Sequence, residues 1–381
     1  MDFDFTAEQR MLKDSVDRLV AERYDFEQRT RYLASADGCS REMWNLYAEM
    51  GLLGLPFAEA DGGFGGGPVD TMIVMEAIGR GLVLEPYFAT IILAGGCLRA
   101  GANPTQRASL IPAISAGELL VSLAHSESQA RYELANVRTT ARRDGKQWIL
   151  NGSKRFVING DKADKLIVSA RVRGEQRDRD GLALFLVDAQ ASGVTRRGYL
   201  TQDRLRAADV QLSNVRAHDA ELIGEAGNAL PIIERTVDEA LAAVCAEAVG
   251  VMAKAHELTV DYLKTRKQFG VSIGSFQALQ HRAVDMLVMI EQARSMALFA
   301  TMMADEPDPI ERGKAMSAAK IQIGKSARYV GEQAVQLHGG IGVTEECHAG
   351  HYFRRLTMLE QLLGDTDHHL AALARQGGLF A

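Results

Sequence analysis

Residues 316–340 read MSAAKIQIGKSARYVGEQAVQLHGG. Small or apolar side chains recur at Met316, Ala319, Ile323, Ala327, Val330, Ala334 and Leu337, three or four apart, which is the spacing of one face of an α-helix. The alanines on that face let another helix come close, so the pattern reads as the seam of a bundle. Gly339-Gly340 then ends the helix. Gly324-Lys325-Ser326 has the look of the end of a phosphate-binding loop. However, Ala319 takes the place of its first glycine, and the period puts the segment inside the helix.

Upstream, a second seam runs through Leu279, Ala283, Met286, Ile290, Ala293, Ala297 and Ala300, and Pro307-Asp308-Pro309 separates the two helices. Residues 227–381 are therefore expected to form a C-terminal four-helix bundle. From about Leu119 to Leu222 the period changes to alternation, with Leu182, Leu184 and Leu186 on one side of a strand and Trp148 and Leu150 on another. Asp144-Gly145, Asn151-Gly152, Asn159-Gly160 and Asp180-Gly181 supply the positive-φ positions of tight turns. Residues 121–226 thus predict a central antiparallel β-barrel domain. Residues 1–120 read as an N-terminal helical domain. Thr6 precedes a helical stretch through Glu22, and Ser40 can cap another towards Met50. The run Gly62-Gly63-Phe64-Gly65-Gly66-Gly67-Pro68 connects to a helical pattern from Val69 to Gly79. The fold class is α+β.

With 381 residues, 47% hydrophobic and 24% charged, the chain has the balance of an ordered globular protein. Its net charge is −6 and no stripe of Lys or Arg stands out, which argues against nucleic acid as a partner. No apolar stretch reaches the ~18 residues of a membrane span, and Met1-Asp2-Phe3-Asp4-Phe5 lacks the character of a secretory signal. The four cysteines, Cys39, Cys97, Cys245 and Cys347, form no CxxC pair, so a cytoplasmic protein without a disulfide framework is expected. His348, His351, His368 and His369 come without an HExxH or comparable ligand set, and no metal is expected. GxGxxG does not occur, which speaks against a nicotinamide enzyme on a doubly wound sheet.

The specific motifs lie towards the C-terminus: Arg266-Lys267-Gln268-Phe269-Gly270, Phe276-Gln277 and Gln336-Leu337-His338-Gly339-Gly340. Ahead of them stand Gly51-Leu52-Leu53-Gly54-Leu55, Ser126-Glu127 and the segment Gly152-Ser153-Lys154-Arg155-Phe156-Val157-Ile158-Asn159-Gly160. In this order, and in an α–β–α arrangement over essentially the whole chain, they resemble the acyl-CoA dehydrogenase family. Gly364-Asp365-Thr366-Asp367-His368-His369 resembles, within that family, the small subunits of paired enzymes such as pimeloyl-CoA dehydrogenase.

The resemblance implies FAD as cofactor. It assigns Arg266 to the pyrophosphate, whose oxygens a planar guanidinium can pair two at a time. Gln268, Phe269 and Phe276 go to the same groove. Gln336, Gly339 and Gly340 go to the adenosine diphosphate part, often in a neighbouring subunit, where glycine leaves backbone N–H groups open. Ser126 stands where the family has Thr at the start of a loop along the flavin and the thioester. Phe156 and Ile158 stand where it has an aromatic residue and a Thr against the isoalloxazine. Thr366 and His368 complete the implied cofactor contacts. Also implied are an acyl-CoA substrate, an electron-transferring flavoprotein as acceptor, and a homo- or hetero-oligomer, as a tetramer with a second acyl-CoA dehydrogenase subunit.

Members of the family oxidise an acyl-CoA thioester to the 2,3-enoyl-CoA, with a desolvated carboxylate taking the α-proton. Most carry that carboxylate in a Glu-Gly-Thr loop, which here reads Leu363-Gly364-Asp365-Thr366, so its place falls on Leu363 or Gly364. Others carry it on the first C-terminal helix, where the register set by Arg266 reaches Ala240. Asp365 and Glu239 are the adjacent carboxylates, with Glu239 turned ~100° around the helix from Ala240. Three accounts stay open: Asp365 is a substitute base, a partner chain supplies a Glu, or the chain is an inactive scaffold subunit. A flavin monooxygenase of the same fold is a further alternative.

Overall fold

Thr6 starts the first helix by a reciprocal cap: its hydroxyl accepts from Gln9 N while its own N–H donates to the Gln9 side chain. Ser40 caps a later helix through Met43 N, as its position in the sequence predicts. The computed structural model describes residues 4–378. Its N-terminal helices are α1 (Ala7–Arg23), α2 (Phe26–Ala34), α3 (Arg41–Glu49), α4 (Pro68–Gly81), α5 (Gly95–Gly101) and α6 (Pro104–Ser115), with a π-helical stretch at Phe88–Ala94. The strands follow as β1 (Val121–Ala124), β2 (Thr140–Asp144), β3 (Gln147–Ile158), β4 (Lys165–Arg171), β5 (Leu182–Asp188), β6 (Val194–Leu200), β7 (Arg206–His218) and β8 (Leu222–Gly227). The remainder is α7 (Leu230–Thr265), a two-strand ribbon β9 (Lys267–Gln268) and β10 (Val271–Ser272), then α8 (Gln277–Met303), α9 (Pro309–His338), α10 (His348–Gln361) and α11 (Thr366–Arg375). No helix among the described residues is long and apolar enough to cross a membrane.

Two compact units divide the chain. One comprises residues 32–67 and 84–240, the other residues 1–31, 68–83 and 241–381.

The first unit holds the sheet, in the order β6-β7-β3-β2-β4-β5-β8 with β1 added on β4. Its core is apolar, with Leu150, Val157, Leu166, Val168, Phe185, Val210, Leu212 and Val215 among the fully buried side chains. The expected antiparallel arrangement is corrected at two places: β1 pairs with β4 in parallel, and β2 meets β4 in parallel at Thr140 and Arg171. Residues Leu182 to Val187 are buried on both faces, so the leucine alternation in β5 does not separate core from solvent. Asn151-Gly152 is not a turn either. It sits inside β3 where the register against β7 shifts, and a Cβ on Gly152 would lie 2.4 Å from Thr139 Oγ1. A glycine inside a strand marks such a bulge or close approach as readily as it marks a turn. Asp144-Gly145 does join β2 to β3 as predicted.

In the second unit all seven residues of the α9 seam are buried, and Met286, Ile290, Ala293, Ala297 and Ala300 of the α8 seam are buried with them. Asp308 caps α9 and Pro309 is its first residue. Among the described residues a further short helix, α11, follows the long helices of the expected bundle. Leu363 and Gly364 take φ of 60° and 119°, which breaks α10 from α11, and Asp365 caps the new helix. Helices α4 and α7 touch backbone to backbone: a Cβ on Gly79 would lie 2.1 Å from the Glu247 carbonyl oxygen, and one on Gly250 would lie 1.9 Å from that of Glu76.

Candidate functional site

The helical unit presents the first group of expected site residues. Helix α7 ends at Thr265 and the chain turns back through the β9–β10 ribbon, with Phe269 and Gly270 at φ of 56° and 81°. Two consecutive positive φ values are what a two-residue hairpin turn demands. The turn thrusts Phe269 outward to 90% exposure, in edge-to-face contact with Phe276 at 6.2 Å between ring centres. Arg266, Lys267 and Gln268 are exposed beside it. At the end of α9, Gly339 has φ 66° and Gln336 is exposed. Cβ atoms on Gly339 or Gly340 would meet nothing within 4 Å. Tyr262 of α7 stacks on His338 of α9 at 4.5 Å, which brings these two helix ends together.

The loop from Leu362 to Thr366 belongs to the same unit and is held from below. Lys320 has no exposed surface and donates to the carbonyls of Glu360 at 2.6 Å and Gly364 at 2.7 Å. Burial pushes its ammonium down to about 8, against the pull of nearby anionic groups. His369 is buried between Ser317 Oγ and the Leu363 carbonyl, and desolvation holds its ring down to about 3, so it is neutral at pH 7. Thr366 gives both its N–H and its hydroxyl to Glu360 Oε1, and His368 packs edge-on against His369. Asp365 Oδ1 accepts from His368 N at 2.8 Å, the bond of an N-cap.

In the β-containing unit, Glu239 is gripped by two guanidinium groups. Its Oε2 accepts from Arg99 at 2.8 Å and its Oε1 from Arg235 at 2.7 Å. Ala240, next to it, is fully buried. Ser126 is exposed and its carbonyl accepts from Arg155 N at 2.8 Å. Phe156 and Ile158 are half-buried, and Phe156 has φ 52° in a second register shift of β3 between Lys154 and Val157. Sequence reasoning missed what lies behind them, a buried ion pair of Lys154 Nζ and Glu127 Oε1 at 2.7 Å. Burial alone would raise the Glu127 pKa, but the ammonium and its hydrogen bonds hold it to about 2. His125 is pushed down to about 3 by burial and by the Lys154 charge. The signal was present: Lys154 shares the parity of Trp148 and Leu150 in β3, so it belongs on the inward-facing side. Lys320 likewise sits within the α9 seam, four residues after Met316.

An exposed arginine, a nearly bare phenylalanine and an open Gly-Gly backbone suit a ligand with anionic oxygens and flat rings. The half-buried Phe156 and Ile158 suit the apolar part of a fused ring.

Comparison with known proteins bears on these groups. The acyl-CoA dehydrogenase N-terminal, middle and C-terminal domains match residues 6–118, 122–215 and 230–378. The chain is 27% identical over 382 residues to the probable acyl-CoA dehydrogenase YngJ of Bacillus subtilis, covering 99% of each. It is 32% identical over 293 residues to the probable acyl-CoA dehydrogenase FadE25 of Mycobacterium tuberculosis, covering 76% of this chain and 75% of that one. Among solved structures, a variant of the Tcur3481-Tcur3483 steroid ACAD superimposes with a TM-score of 0.87 at 29% identity, covering 97% of each chain.

Proposed function

This chain belongs to the acyl-CoA dehydrogenase family, and we propose that it is one subunit of a heteromeric member whose catalytic carboxylate comes from another chain. The enzymes of the family are FAD-dependent and dehydrogenate acyl-CoA. When bound, FAD supplies the acceptor for the hydride. In this reading Arg266, Gln268, Phe269 and Phe276 hold the cofactor's diphosphate and adenosine end. Gln336, Gly339 and Gly340 serve a cofactor shared with a neighbouring subunit, Ser126, Phe156 and Ile158 line its ring, and Thr366 and His368 close the site.

The observation that carries the proposal is the state of the carboxylates. Ala240 stands at one of the two places where the family keeps its base, and Leu363 or Gly364 at the other. The acids beside them are already engaged: Glu239 pairs with Arg99 and Arg235, and Asp365 caps α11. A proton-abstracting carboxylate needs a desolvated charge with no cation paired to it, and Glu239 is paired with two guanidinium groups. The related steroid enzyme bears a two-protein designation, which supports a paired assembly. Exposed Val284, Leu287 and Val288 on α8 offer apolar surface for one. The proposal includes a tetramer with a second acyl-CoA dehydrogenase subunit and an electron-transferring flavoprotein as acceptor.

The test is purification of the native complex, followed by anaerobic addition of acyl-CoA. The complex is expected to be yellow and to bleach, while this chain alone does not bleach. Bleaching by this chain alone overturns the shared-base reading. A complex that never holds flavin makes the chain a scaffold.

A further inference from the structure

His125, Glu127, Lys154 and Ser169 form a closed polar network inside the β domain. The Lys154 ammonium has three acceptors for its three N–H groups: Glu127 Oε1 at 2.7 Å, Ser169 Oγ at 2.9 Å and the His125 carbonyl at 3.2 Å. Glu127 accepts four bonds, from Lys154, from Thr139 N at 3.1 Å, from Arg138 N at 2.8 Å and from Gln129 Nε2 at 2.7 Å. Ser169 Oγ also meets His125 Nδ1 at 2.9 Å. The Lys154 and Glu127 side chains are 0% and 3% exposed. A buried ion pair is seldom more stabilising than well-packed apolar side chains of the same volume, so stability by itself is a weak reason for this one.

What the pair holds is more telling. Ser126 lies between His125 and Glu127, both of which are tied to Lys154, and the Ser126 carbonyl is bonded to the N–H of Arg155, the residue after Lys154. Phe156 follows at once, inside the register shift that begins at Lys154. One ammonium therefore fixes both neighbours of Ser126 and the start of the bulge that presents Phe156.

We propose that Glu127 and Lys154 are a positioning pair for the flavin ring, setting the spacing between the Ser126 backbone and the Phe156 ring. They touch neither substrate nor cofactor and act through those two residues. The inference rests on the reading of Ser126 and Phe156 as cofactor contacts.

The experiment uses the full chain in its native complex, loaded with FAD. The variant is Glu127→Gln with Lys154→Met, in which both partners become neutral at nearly constant volume. The double variant is expected to fold, to release FAD with a Kd raised at least ~10-fold, about 1.4 kcal/mol, and to show shifted flavin absorption and visible circular dichroism. Unchanged bands and Kd with only a lowered Tm overturn the proposal and leave a purely structural pair. If the double variant does not fold, Ser169→Ala removes one acceptor of Lys154 and should shift the same bands to a smaller extent; no shift overturns the proposal. Wild-type complex that holds no FAD defeats both this inference and the reading beneath it, whereas a flavin-loaded wild type beside an indifferent variant defeats this inference alone.

Discussion

The buried ammonium of Lys320 lies 2.7 Å from the carbonyl oxygen of Gly364, and Gly364 in turn leaves room for His369, since a Cβ there would come within 2.4 Å of His369 Nε2. These contacts pin the loop at which the family usually carries its base. Replacing Lys320 by Met leaves the Glu360 and Gly364 carbonyls unpaired and should cost about 2 kcal/mol near pH 7. The pH dependence has a defined sign. The folded pKa is lowered to about 8, whereas the unfolded value is ~10.4. Between those values the unfolded chain binds more protons, so this group's contribution rises with pH in that window and is lost as pH falls through about 8. Urea midpoints of wild type and Lys320→Met, measured from pH 7 to 10, should diverge as pH increases.

Asp365 separates cap from base. Asn at this position still caps α11, so Asp365→Asn should keep stability and, with the partner present, turnover within a few-fold. Asp365→Ala should lose about 1 kcal/mol of stability with turnover again retained. A fall of several orders of magnitude in the Asn variant's kcat would make Asp365 the base. Glu239→Gln should likewise keep turnover, at a stability cost of up to about 1 kcal/mol for a partly exposed pair.

Gly250→Ala should be severely destabilising, because its methyl group would meet the Glu76 backbone oxygen at 1.9 Å and backbone cannot swing aside as a side chain can. A loss of about 3 kcal/mol or more is expected, read as a lower thermal or urea midpoint with an unchanged m-value.

Arg266 is exposed, and among the described residues it makes no ion pair. Arg266→Gln should therefore leave the Tm of the flavin-free protein almost unchanged, within about 0.5 kcal/mol. FAD should bind roughly 10-fold more weakly or worse, since a charge-assisted bond to phosphate is worth about 1.5–3 kcal/mol. Calorimetry on the stripped protein and a flavin titration together check both halves.

The helices were the most legible part of the fold. The seams of α8 and α9 show in the sequence because a buried helical face requires apolar residues three and four apart, and the helix starts at Thr6 and Ser40 show because unpaired N–H groups at a helix start need side-chain oxygens. The C-terminal motifs marked the end of α7 and the Gly339 stop, the latter because positive φ favours glycine. The β region was legible as strands but not as a topology. Asn151-Gly152 has the same letters whether it forms a turn or a bulge, and the parallel pairing of β1 with β4 joins residues far apart along the chain.

The sequence by itself therefore determined the helical faces, the caps at Thr6 and Ser40, the presence of a β domain and the absence of an acid at positions 240, 363 and 364, all of which depend on residue type and short spacing. Only the tertiary structure decided that Glu239 is held between Arg99 and Arg235, that Asp365 is spent on a cap, and that Lys154 and Lys320 are buried with their acceptors supplied. What a charged side chain can do depends on its partners and its distance from water, and both are set by residues that come together only when the chain folds.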